Sequence, residues 1–231
     1  MSAPGAAPRP QPAFVQELDT LVRARYPLVY LVTSEEQRLE AILDGLADRH
    51  GKALLGWSIA RGFRRLGGTR GPAPEGAKEP LEALAAVEKL AEPALVVLKD
   101  FHPYLADPAV VRALRELGHA LKSTYTTVLL LSPTLSIPPE IEKEISVLDV
   151  PLPGYRDLLE LLKEIVGVVR QGGRAQVELN QDDADQLIQA ALGLTLSEAE
   201  SAFAKAIATD GRLSRDDVPL DHFAKLAEGS V

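Results

Sequence analysis

The residues with most chemistry to offer lie in Leu95 to His102, which reads LVVLKDFH. Leu95 to Lys99 has the composition of a strand covered on both faces, and Asp100 closes it where a parallel strand would leave its sheet. A carboxylate at that point can hold Mg²⁺ through water, or it can be the solvated end of an ordinary central strand. Asp100 and His102 could also begin a metal site, but such sites need three or four ligands. The histidines, His50, His102, His119 and His222, are scattered, so the pair reads as a turn and no metal centre is expected. Ser132 could join a His and an Asp in a triad, yet no nucleophile elbow surrounds it. Arg61, Arg64, Arg65 and Arg70 form the one basic cluster. It reads either as a solvated loop or as a dock for phosphate or an acidic partner.

Composition narrows these options. The chain has 231 residues, 46% apolar and 25% charged, enough to bury a full core. Its net charge of −8 disfavours nucleic acid and acidic membranes, because neutralising phosphate needs clustered Lys and Arg. There is no Cys, which removes disulfides, thiolate metal sites and a thiol nucleophile, and fits a cytoplasmic protein. No apolar run approaches the roughly 18 residues of a membrane span. Residues 1–13 are Ala/Pro-rich, unlike a signal peptide, and read as a disordered lead-in.

The elements that must position Asp100 follow from hydrophobic period. Helices are expected over residues 14–26, from about 34 to 50, over 79–91 and over 108–122, with a short Pro-started piece over 137–144. Thr33 or Ser34 is the expected cap of the second helix. Strands are expected over 28–32, 53–58, 95–99, 126–131 and 146–150. Residues 62–79, rich in Gly, Pro and Arg, read as an irregular loop. Alternation of strand and helix implies a five-stranded parallel sheet flanked by helices. After Pro153 only helices are expected, over 155–169, 180–192, 195–209 and 215–227. Their caps are Asn180 with Asp183, Thr195 with Glu198, and Ser214 with Asp217. The expected boundaries are therefore an α/β core over 14–153 and a small helical bundle over 154–231.

This order of elements resembles an AAA+ module, a P-loop-NTPase-like core followed by a helical lid. LVVLKD stands where the Walker B strand would be, TTVLLLSP at the sensor-1 strand, and IPPEI at the post-sensor segment. Gly193 with LTLSEAESAFAKAI resembles the third lid helix. More narrowly, ELDTLVRARYPLVYLVTSEEQRL, LKDFHPYL and GLTLSEAE resemble the N-terminal half of the two-module AAA+ proteins of bacteria and plastids known as hypothetical chloroplast-frame ATPases. The resemblance runs from about Phe14 to Val218. It implies that the catalytic P-loop belongs to a second module beyond this chain.

The residues that phosphoryl transfer requires are missing at the matching positions. After the first strand come Thr33-Ser34-Glu35-Glu36-Gln37-Arg38, with no Gly turn and no Lys to wrap a phosphate. Gly51-Lys52 precedes a strand instead of following one. Glu35 and Glu36 put two carboxylates where a polyanion would lie. Phe101 stands where a second Walker B acid would activate water. Glu142-Lys143-Glu144 replaces an arginine finger, and Leu194-Thr195-Leu196 follows Gly193 where a sensor-2 Arg would be. A phospho-receiver domain would want an acidic pair ending the first strand and a Lys ending the fifth, and neither is present.

The expectation is a non-catalytic AAA+-like module with no cofactor, Asp100 being its only Walker B remnant. Its partner would be an active AAA+ module, of the same protein or a homologue, in a possible ring. Glu140, Glu142, Lys143, Glu144, Glu198 and Glu200 are the expected contact residues. The alternative is an unconventional nucleotide-binding protein or ATPase using the same cleft.

Overall fold

The computed structural model describes residues 12–67, 72–172, 176–177, 181–210 and 212–213. Two compact units divide the chain, Met1–Val150 and Pro151–Val231.

In the first unit, β1 (Leu28–Val32), β2 (Ala53–Ser58), β4 (Ala94–Lys99), β5 (Thr127–Ser132) and β6 (Ile145–Asp149) are parallel. With β3 (Gly62–Gly67) the sheet order is β3-β2-β4-β5-β1-β6. Alternation of side chains along each strand explains the unbroken apolar runs. Leu28, Tyr30, Val96, Leu98, Val128 and Leu130 face the core formed with α3 (Pro80–Glu88) and α4 (Pro108–Leu121). Val29, Leu31, Leu95, Val97, Leu129 and Leu131 face the opposite core, with α1 (Ala13–Arg23) and α2 (Glu36–His50).

Three expectations change here. Residues 62–67, expected as loop, form the sixth strand, antiparallel on β2 with Phe63 opposite Trp57. An edge strand needs few apolar residues: Phe63 and Leu66 face the cores, while Arg64 and Arg65 stay exposed. Gly56 makes this possible, since a Cβ there would lie 2.6 Å from Leu66 Cδ1. The piece expected over 137–144 is one 3-10 turn, Glu142–Glu144. Pro139 pushes Pro138 away from helical geometry, and neither has an N–H to give. Finally α1 stops at Arg23, because Arg25 turns left-handed (φ 59°) and Pro27 disfavours helix at Tyr26. Ala13, placed in the lead-in, is the first helical residue.

Beside β2, Lys52 is buried; burial first, then the charge of Arg25, pushes its ammonium below the usual lysine range.

The second unit packs α5 (Tyr155–Gly172), α6 (Gln181–Ala191) and α7 (Leu196–Asp210) around Leu158, Leu162, Leu187, Ile188, Leu194 and Phe203. A two-residue parallel ladder joins β7 (Gln176–Val177) to β8 (Arg212–Leu213). Thr195 and Glu198 form the expected capping box: Glu198 N–H donates to Thr195 Oγ1 (3.2 Å), and Thr195 N–H to Glu198 Oε2 (2.8 Å). The expected helix over 215–227 and the caps at Asn180 and Ser214 lie outside the described residues.

Candidate functional site

In open α/β sheets ligands bind beyond the carboxyl ends of the strands. Here those ends are Val32, Lys99, Ser132 and Asp149. The turn from β1 into α2 is held by Thr33, whose N–H donates to Ser132 O (2.9 Å) and whose Oγ1 accepts from Glu35 N–H (3.0 Å). The N-cap is Glu35, without a side-chain cap, so neither Thr33 nor Ser34 fills the expected role.

Two ion-paired groups follow from this turn. Arg38 Nη1 lies 2.7 Å from Glu35 Oε2, and both side chains are almost wholly buried. Lys99, the last residue of β4, reaches across to α2, 2.9 Å from Glu36 Oε2 and in contact with Glu40. Burial pulls the Lys99 ammonium down, but hydrogen bonds to Glu40 and Glu36 and their charges more than offset this, leaving it above the usual lysine range. The carboxylates of Glu35 and Glu36 are therefore not free charges facing an empty cleft, as the sequence implies. Each is spent on a cation of the same site. A phosphate entering here would have to displace them.

Asp100 sits one residue beyond, exposed, with φ 49° and its N–H donating to Leu131 O (2.9 Å). The 3-10 turn that follows, His102–Ala106, receives no side-chain cap. What turns the chain here is the left-handed backbone of Asp100, a conformation that Asp tolerates better than most residues. Phe101 points inward. It is 1% exposed and meets Trp57 (centroids 5.5 Å) and Tyr104 (5.7 Å) edge-to-face, with Trp57 and Tyr104 also paired at 6.2 Å. Trp57 Nε1–H donates to Ala77 O (2.7 Å). The position that would carry an activating acid is thus part of an aromatic core.

A polar network escaped the sequence reading. His102 Nδ1 and Ser132 Oγ share a hydrogen bond of 2.8 Å, and Thr134 N–H donates to the same Oγ (3.3 Å). Tyr30 O–H donates to Thr134 O (2.7 Å), and Ser136 N–H to Tyr30 Oη (3.4 Å). The chain places these residues up to about a hundred positions apart, and no local pattern marks them. Ser132 is 1% exposed, and among the described residues no carboxylate bonds His102, so the pair braces the end of β5 and does not present a nucleophile. Among the described residues no group of three or more His, Asp or Glu could hold a metal ion.

The expected contact residues fall into different settings. Glu140, Glu142 and Lys143 are exposed after β5. Glu144 is largely buried and gathers three basic side chains of α4 and its C-cap: Arg115 (3.5 Å), the His119 ring (3.9 Å) and Lys122 (3.9 Å). Beside it is a cleft of about 340 Å³ between the 3-10 turn, α4 and Pro138. In the second unit Glu198 is occupied by its capping box and Glu200 is exposed. No described helix is long and apolar enough to cross a membrane.

Comparison with known proteins adds the context. A protein of Guillardia theta, the uncharacterized AAA domain-containing protein ycf46, is 31% identical over 211 residues, 90% of this chain. Its counterpart in Trieres chinensis is 31% identical over 212 residues. The chain spans about 40% of the length of these relatives. Among solved structures, the AAA domain of FIGL-1 with ADP superposes with a TM-score of 0.55 at 11% identity, covering 94% of this chain and 77% of that one. PCH-2 of C. elegans superposes with a TM-score of 0.54 at 12% identity, covering 93% and 67%. These last likenesses are of fold: an α/β AAA+ module. Residues 14–150 match the N-terminal domain, and residues 156–220 the second domain, of the SpoVK-like AAA ATPases, and the chain belongs to that family.

Proposed function

We propose that this part of the protein is a non-catalytic AAA+ module whose work is to pair with an active AAA+ module, in the same protein or in a homologue. The observation that carries the reading is the ion pairing of the carboxylates that follow β1. Glu35 with Arg38, and Glu36 and Glu40 with Lys99, neutralise each other at the mouth of β1 and β4. Backbone donors alone would have to outbid these internal partners, and the turn has no Gly that would let them wrap a phosphate. Phe101 supports the same conclusion, since it is committed to the core. The length of the relatives leaves room for an active module elsewhere in them. A Trip13 structure of similar fold, at 17% identity, is of a complex with HORMA and CdnC proteins. That makes pairing a use already open to the fold.

Calorimetric titration with Mg-ATP and with ADP tests the reading, with no binding tighter than about millimolar expected. Micromolar Mg²⁺-dependent binding, or phosphate release abolished by Asp100→Ala, would establish the alternative of an unconventional nucleotide site. Co-purification with an active AAA+ module from the same cell tests the partnership; a folded chain that never associates with one overturns it.

A further inference from the structure

Most of the arginine cluster lies on an open edge of the sheet. β3 ends the strand order, and among the described residues no backbone group pairs with its outer side. Every second residue of an antiparallel edge strand turns its N–H and C=O away from its one neighbour, so β3 presents donors and acceptors outward. Register is regular over Gly62–Arg65 and shifts at Leu66, so the usable edge is short. Arg65 stands opposite Leu55, on the face of α3 and α4, and Arg64 opposite Gly56, on the face of α2. The two guanidinium groups therefore flank the edge from opposite faces of the sheet. Arg61, in the turn between β2 and β3, and Lys78, whose Cγ lies 3.6 Å from where a Gly62 Cβ would be, extend the basic band past one end. All four cations are exposed. Glu75 and Glu79 flank Lys78 in the chain, and Asp44 approaches Gly67, yet among the described residues no ion pair joins these acids to Arg61, Arg64, Arg65 or Lys78. Arg65 Nε donates only to Gly67 O (3.3 Å).

We propose that β3 is a docking edge for an extended acidic segment of another protein, which adds a strand beside Gly62–Arg65 and sets two successive carboxylates on Arg64 and Arg65, one on each face of the sheet. Side chains alternate along an added strand, so adjacent acids reach opposite faces, as the two arginines do. Main-chain hydrogen bonds supply the attachment and the charges select the partner. The same charges turn away a second copy of β3, which would set arginine against arginine. A nucleic-acid backbone offers phosphate acceptors and leaves the outward C=O groups of β3 without donors, which favours a peptide. The inference goes beyond the pairing role argued above and does not depend on it.

Fluorescence anisotropy on the full chain tests this, with a short labelled peptide of Thr and Val carrying two adjacent Glu at its centre. Wild type is expected to bind it with a Kd of about 0.1 mM at about 50 mM salt, and several-fold more weakly at about 300 mM. Amide hydrogen exchange over Gly62–Gly67 is expected to slow on binding. Arg64→Glu/Arg65→Glu changes two exposed positions and is expected to leave the Trp57 fluorescence of the folded chain unchanged. It should lose at least about tenfold in affinity and bind instead the peptide with Lys in place of Glu. A backbone N-methylated peptide of the same charge cannot donate to the edge and is expected to bind at least about tenfold more weakly than its parent. No wild-type binding up to about 1 mM would overturn the proposal, as would a methylated peptide as good as its parent. So would a charge-reversed variant that still prefers Glu, or a single-stranded oligonucleotide of the same length that outcompetes the peptide. None of these readouts involves ATP or an AAA+ partner, so failure here leaves the pairing role standing, and failure of that role leaves this edge standing.

Discussion

Phe101→Ala should separate a structural from a catalytic use of the Walker B region. The ring is 1% exposed and meets both Trp57 and Tyr104 edge-to-face. Truncating a buried Phe costs about 3–5 kcal/mol through lost transfer energy and the cavity left behind. Each lost aromatic pair accounts for about 0.5–1.5 kcal/mol of that scale. In a chain of this size about 1 kcal/mol shifts the midpoint by about 2–4 °C, so a loss of roughly 6–20 °C is expected. Trp57 is the only tryptophan and lies 5.5 Å from the substituted ring, so its fluorescence in urea reports on the first unit specifically. Phe101→Leu keeps most of the volume and is expected to lose about 1–2 kcal/mol. Phe101→Glu restores the acid of an active site, yet it places a carboxylate inside the aromatic cluster; it is expected to destabilise more than Ala and to yield no ATP hydrolysis. A Phe101→Ala variant within about 1 kcal/mol of wild type would refute the reasoning, because the residue would then not be committed to packing.

Asp100→Gly relieves a left-handed residue (φ 49°) and is expected to stabilise by up to about 1 kcal/mol, with no change on adding Mg²⁺; a midpoint that rises with Mg²⁺ in wild type only would speak against it. Glu35→Gln removes the charge that faces Arg38 at 2.7 Å and is expected to cost about 1–3 kcal/mol in urea unfolding, whereas Glu35→Leu with Arg38→Met should recover part of it. Lys52 is depressed below 10.5, so between its folded value and 10.5 the unfolded chain binds more protons and stability should rise with pH; Lys52→Met is expected to flatten that rise in unfolding curves taken across this window. Thr195→Ala removes a capping box and should cost about 1 kcal/mol, seen as a lower helical midpoint by circular dichroism.

The strands were legible because each is an apolar run closed by a charge, a Pro or a polar turn, as in Leu28–Val32 between Pro27 and Thr33. β3 was not, because only Gly62 and Phe63 of it are fully buried and its arginines imitate a loop. At the carboxyl edge, the absence of Gly and Lys after β1 can be read directly. The pairing of Lys99 with Glu36 and Glu40 cannot, since it depends on how α2 crosses the end of β4. Asp100 was visible as a strand end, but its backbone conformation was not, and Asp and Gly are the residues for which that difference matters least. Glu144 was expected among the contact residues; it is instead gathered in by Arg115, His119 and Lys122, more than twenty residues earlier in the chain.

The sheet order also dictates when this module can fold during synthesis. β1 pairs only with β5 and β6, Leu28 matching Val128 and Ile145, about 100 and about 120 residues downstream. At about 5–20 residues per second, the ribosome leaves Leu28–Val32 without either neighbour for about 5–20 s. Over that interval a strand buried at four of its five positions is an apolar segment with both hydrogen-bonding edges open. β2 and β3, joined by a short turn, can form their hairpin early and wait. A nascent chain halted between β4 and β5 would therefore expose β1 in full, which makes that stretch of translation the point at which a chaperone would matter most.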